Sequence, residues 1–147
     1  MVTCSHTDDF DLIRSVLTDD YVWNGVTEDG IDRGSFTIPQ ELTFCELKDE
    51  DELLGICGLR SCAQTCVELH TALLKAAAGR SQECFIALEI YLLQNTLVER
   101  LITRVPETNP KALKAALKLG FEEVGILKES YLKGGSLVNQ YILQVNL

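Results

Sequence analysis

The chain has 147 residues, 46% hydrophobic and 24% charged, which suffices for one core under a soluble surface and predicts a single domain over residues 1–147. A formal net charge of −9 speaks against a nucleic-acid partner, because a phosphate backbone needs Lys and Arg to displace its counterions. Apolar runs are short and broken by charge, and residues 1–11 carry no apolar block, so neither a membrane span nor a secretory signal is expected and the expected location is the cytoplasm. The acidity would favour a cationic partner, an amine or a basic protein surface, although solubility alone accounts for it.

In chain order, Phe10, Ile13, Val16 and Leu17 recur at helical spacing over residues 8–18, with Thr7 or Asp8 as N-cap. A short helical or turn segment with Tyr21, Trp23 and Val26 follows. Gly30, Gly34 and Pro39 make residues 29–40 irregular. Residues 42–48 and 53–60 form a hairpin around the acidic turn at 49–52, and residues 66–74 form a further strand. Cys84, Phe85, Leu88, Tyr91 and Leu92 mark one face of a helix over 82–95. A strand at 97–105 leads to Asn109-Pro110, an N-cap followed by a first-turn proline, and a helix over 111–119 stopped by Gly120. Two strands, 121–127 and 137–145, close the chain. This order predicts a mixed α/β (α+β) sheet with helices on both faces. The six cysteines, at 4, 45, 57, 62, 66 and 84, contain no Cys-x-x-Cys; they read as small packing groups, and no metal site is expected.

The segment from 66 to 95 is the one that suggests chemistry. A strand ending in a small-residue turn that opens a helix leaves backbone N–H groups for an anion, with the helix dipole adding to the attraction. Gly79 admits close approach of a phosphate, and Lys75 and Arg80 carry charge that could neutralise it. Taken alone, the segment reads better as an ordinary strand–helix turn with Gly for geometry.

The stretch from Thr103 to Gly125 tips the balance. Its strand, Asn109, helix and Gly120-Phe121-Glu122-x-x-Gly125 turn resemble the second half of GNAT-superfamily N-acetyltransferases, and residues 76–81 stand where that superfamily has its pyrophosphate loop. Asp20-Tyr21-Val22-Trp23-Asn24 and Glu68-Leu69-His70 further resemble small GNAT-like proteins of tailed bacteriophages. The resemblance implies a mostly antiparallel sheet whose central pair, β4 and β5 in the superfamily's own order, splays apart. It implies acetyl-CoA as cofactor, with Leu73 and Leu74 beside the pantetheine arm, Lys75, Gly79, Arg80 and Ser81 around the diphosphate, and Asn109 next to the arm. The acceptor would be an amine of unspecified identity, and a homodimer is compatible with it. Glu68 and His70, two apart on one strand, share a face, and either would serve as general base. Departures are Ala76 and Ser81 in the loop, and Ala116 where many members have the tyrosine that protonates the departing thiolate; Tyr131 or Tyr141 would have to replace it. These departures favour an alternative, a non-catalytic GNAT-like module that binds a basic host or virion protein.

Overall fold

The structure, a computed structural model, describes residues 1–147. The alternating segments form the strands β1 (Val2–His6), β2 (Thr43–Asp49), β3 (Glu52–Ala63), β4 (Cys66–Leu73), β5 (Arg100–Pro106), β6 (Glu122–Lys133) and β7 (Ser136–Asn146). They make one sheet in the order β1-β2-β3-β4-β5-β7-β6, antiparallel throughout except for the parallel pair β4–β5. The helices are α1 (Phe10–Leu17), α2 (Trp23–Val26), α3 (Ser81–Asn95) and α4 (Pro110–Lys118).

Alternation along the strands sends side chains to two cores. On one face, Cys84, Phe85, Leu88 and Leu92 of α3 and Ala116 of α4 pack on Cys45, Cys57, Val67, Leu69, Leu101, Val105 and Leu143. On the other, Ile13 and Val16 of α1, with Val22, pack on Phe44, Ile56 and Ala72. Helices therefore cover both faces, as the sequence predicts. Cys45, Cys57 and Cys84 are buried packing groups, whereas Cys62 is exposed.

Local chemistry explains the boundaries. Asp9, rather than Thr7 or Asp8, caps α1, its Oδ1 accepting from the Leu12 amide at 3.0 Å. Asn109 caps α4 by accepting from the Ala112 amide at 3.2 Å. At the other end, Gly120 takes φ +95, its amide donates to the Leu117 carbonyl, and the Phe121 amide donates to the Ala116 carbonyl. That is a Schellman close, and it sets Phe121 against Phe85 with ring centroids 5.6 Å apart. The Gly-Phe pair thus ends a helix and anchors the next strand.

Strand β1 was not predicted: Val2–His6 has one buried residue, too few to show a period. The strand expected at 97–105 starts later, at Arg100, because the amides of Glu99 and Arg100 both donate to the Thr65 carbonyl. Trp23 is buried and edge-on to Phe36, while Tyr21 is half exposed.

One glycine fixes how β3 meets the end of β4. A Cβ on Gly55 would lie 2.3 Å from the Ala72 carbonyl oxygen and 2.9 Å from the Leu73 Cα, both backbone atoms. Gly55→Ala is expected to destabilise the fold by about 1–3 kcal/mol, as overpacking does, measured by urea unfolding.

Candidate active site

Strands β4 and β5 pair only through Cys66, Val67 and Glu68 with Arg100, Leu101 and Ile102. Beyond that β4 continues along β3 while β5 continues along β7 to Pro106, so the two part. One side-chain bond crosses early in the gap, Thr103 Oγ1 donating to the Leu69 carbonyl at 3.1 Å. Leu69 thus turns its peptide edge toward β5, and strand alternation turns those of Thr71 and Leu73 the same way. Leu74 differs, since its amide donates to the Leu54 carbonyl at 2.8 Å. Of the two residues expected beside the pantetheine arm, Leu73 keeps a free edge and the Leu74 amide is used.

The gap opens onto the loop before α3. Lys75–Ala77 form one 3-10 turn, in which the amides of Ala77, Ala78 and Arg80 donate to Leu74, Lys75 and Ala77. The Arg80 amide is therefore not available to a phosphate. No capping side chain serves α3, and the amides of Gly79, Ser81, Gln82 and Glu83 make no turn, loop or cap hydrogen bond. Gly79 sits at φ +78 with open space where a side chain would project. The guanidinium of Arg80 is also engaged, 2.7 Å from Asp49 and 2.9 Å from Glu83. It draws these two carboxylates into ion pairs beside the helix start and is not a free cation. Lys75 is exposed.

Where the strands part, four charged or titratable side chains meet. Glu68 is 3% exposed. Its Oε2 accepts from Arg60 Nη2 at 2.8 Å, and its Oε1 accepts from Arg104 Nη2 at 2.8 Å and lies 2.6 Å from His70 Nε2. Burial pushes the Glu68 carboxyl up, but the hydrogen bonds from Arg104 and Arg60 outweigh it and hold it below the ordinary carboxylate range. Such a carboxylate is a poor base and a firm anchor. The His70 side chain is 46% exposed; its partial burial lowers the pKa from the ordinary histidine value, and the attraction of Glu68 only partly opposes this, which favours the neutral ring. Its Nε2 stands 2.6 Å from the Glu68 carboxylate, and its Nδ1 makes no hydrogen bond. Opposite it on β3 stands Gly58, where a Cβ would lie 3.7 Å from the His70 Cβ. Glu68 and His70 thus stand as one pair, the carboxylate held by two arginines and the ring beside it.

Asn109 borders a cavity of about 290 Å³ at the end of β5, together with Asn24, Pro106 and Tyr131. Burial, with Glu28 and Asp29 nearby, raises the Tyr131 pKa and keeps the phenol protonated. Tyr141 lies opposite Val105 and packs against the α3 core. Tyr131 shares the cavity that Asn109 borders. A cavity of about 700 Å³ lies at α1 and the loop before β2, between His6, Asp8, Phe10 and Arg14, and contains none of the residues expected to hold the cofactor or carry the chemistry.

Arg60 and Arg104 were not found by sequence reasoning. Arg60 faces Glu68 across the hairpin whose turn follows Ala63, so opposite charges flanking a short turn were the available signal. Nothing local marks Arg104, which reaches Glu68 from β5.

A family profile described as proteins of unknown function (DUF2824) matches residues 5–146. The chain belongs to that family. No curated protein matches it in sequence. Solved structures do match in shape. Spermidine N-acetyltransferase from Vibrio cholerae, in complex with CoA and spermine, superposes with a TM-score of 0.73 at 15% identity, over 99% of this chain and 95% of that one. The protein smu.2055 from Streptococcus mutans gives 0.73 at 16% identity, over 98% of each chain. A chimera of the Vibrio cholerae enzyme SpeG with hSSAT gives 0.77 at 14% identity, over 99% of this chain and 95% of that one. This DUF2824 protein therefore has the GNAT fold, including the splayed central strands that the resemblance implied.

Proposed function

We propose that this protein is an N-acyltransferase that takes an acetyl group from acetyl-CoA and gives it to a primary amine. The observation that supports it most is the parting of β4 and β5 beside His70, with free amides where the gap meets α3. The residues present fit the cofactor. Amides of Gly79, Ser81, Gln82 and Glu83 form a nest for its diphosphate, Lys75 adds charge, and the peptide edges of Thr71 and Leu73 offer the pantetheine arm the bonds of a missing strand, with Asn109 at the far end of the gap. When bound, acetyl-CoA supplies an acyl group activated as a thioester.

The chain's own groups then move two protons. Bare Nδ1 of His70 takes the proton of the attacking amine as the nitrogen–acyl carbon bond forms. Glu68 keeps the ring oriented and steadies the imidazolium. Tyr131, which lines the cavity bordered by Asn109 at the end of β5, gives its phenolic proton to sulfur as the carbon–sulfur bond breaks, in the role that Ala116 cannot fill.

Calorimetry on the full chain with acetyl-CoA tests the first half of this reading. The wild type is expected to bind, and Gly79→Ala to bind about tenfold more weakly, since a methyl group would stand where the phosphate approaches. Absence of binding by the wild type would refute the reading, and an unchanged Kd in the variant would refute the loop assignment. A second reading, a non-catalytic module that binds a basic host or virion protein, is supported by Ala116 and by the engagement of Arg80 with Asp49 and Glu83; acetyl-CoA binding without thiol release toward any amine would favour it.

A further inference from the structure

The protein as a whole is acidic, yet the side chains at the parting of β4 and β5 carry the opposite sign. Two guanidiniums, Arg60 and Arg104, converge on the single carboxylate of Glu68, and the ring of His70 beside them favours its neutral form. The cluster therefore has a surplus positive charge. It also has surplus donors. A guanidinium carries five N–H groups, and only Nη2 of each arginine is bonded to Glu68. Arg104 Nε is buried and meets no acceptor at all, a costly state for a polar group. The side chains of Arg60 and Arg104 are 42% and 33% exposed, so both can be reached from outside.

Of the other carboxylates whose charges reach this region, Glu41 acts on Arg60 without pairing with it. Glu28 and Asp29, whose charges act on Tyr131, accept the backbone amides of Leu132 and Gly135. No carboxylate other than Glu68 forms an ion pair with Arg60 or Arg104. A polyamine brought to His70 would meet two guanidiniums paired with a single carboxylate.

We infer that the acceptor is a small amine that also carries an anionic group, a carboxylate or a phosphate, received by the free N–H groups of Arg104 and Arg60 while its amine faces His70. The inference names the acceptor class for the acyltransferase reading and rests on it. Planar two-pronged donors suit both anions, and holding the anion fixes the amine nitrogen relative to Nδ1.

Matched acceptors test it by thiol release: glycine against glycinamide, O-phosphoethanolamine against ethanolamine, and spermidine as the cationic control. The anionic member of one pair is expected to be at least about tenfold better in kcat/KM than its neutral partner and than spermidine, and the pair that shows this tells carboxylate from phosphate. Arg104→Gln is expected to erase the preference through KM while leaving the Kd for acetyl-CoA unchanged. Should that variant unfold, Arg104→Lys keeps the ion pair with Glu68, loses the fork, and is expected to lose most of the preference. A second readout needs no cofactor. Titration with inorganic phosphate, followed by the His70 imidazole resonances in NMR, is expected to raise the His70 pKa in the wild type and not in Arg104→Gln or Arg104→Lys. Equal rates within both pairs, or a preference for spermidine, overturn the inference even where acetyl-CoA binds. If acetyl-CoA does not bind, the acyltransferase reading fails, and the phosphate titration decides by itself whether the anion site exists.

Discussion

Glu68→Ala is expected to abolish measurable acyl transfer and to destabilise the fold by about 3 kcal/mol, the lower end of what breaking a buried ion pair costs. The Glu68 side chain is 4% exposed, accepts from Arg60 on β3 and Arg104 on β5, and lies against His70 on its own strand. Its removal leaves Arg60 and Arg104 facing each other with no anion between them. Both are partly exposed, so water relieves some of that penalty, which is why the lower end applies. Glu68→Gln keeps the shape and one acceptor oxygen and is expected to fall between wild type and alanine in urea unfolding. The wild type should also lose stability in acid. The Glu68 pKa is lower folded than unfolded, so between those values the unfolded chain holds the extra proton, and stability rises with pH there. The contribution is complete above the ordinary carboxylate range and disappears as pH falls through the folded value. Unfolding midpoints that are flat in pH across the carboxylate range would contradict this.

His70→Asn is expected to lower kcat by about 10²–10³-fold at neutral pH with little change in the Kd for acetyl-CoA, the range associated with losing a positioned general base. The same group sets the acid limb of the rate profile. Burial places its pKa below the ordinary histidine value, so the limb should lie at lower pH than about 6.5, and the enzyme should be fully active through neutrality. The residual rate of His70→Asn should show no such limb. A variant that retains wild-type kcat, or a limb that persists in it, would assign the base elsewhere.

The sequence was most legible where local rules decide structure. Asn109-Pro110 and Gly120-Phe121 carry their explanations within a few residues, as a cap and a Schellman close, and α4 lies where they put it. The spacing of Cys84, Phe85, Leu88 and Leu92 likewise marked the buried face of α3. Edge strand β1 was not legible, because it is held by pairing with β2 and not by its own pattern. The site was legible to the same depth. Glu68 and His70 share a face by strand alternation, which is local, but their division of labour depends on Arg104, contributed from β5 by a 36-residue separation. The engagement of Arg80 with Asp49, 31 residues away, was hidden for the same reason and turned an expected phosphate ligand into a loop brace.

The brevity of the β4–β5 seam has a mechanical consequence. Sheets are stiff because each strand is laced to the next along its length, and here one lacing stops after Glu68 and Ile102. The sheet accordingly has two plates, β1–β4 and β5–β7, whose strands pair along a short line above the core they share. Glu68, gripping an arginine on each plate, sits at the end of that line like a rivet at the root of a slit. His70 therefore stands where the sheet changes from laced backbone to an open edge.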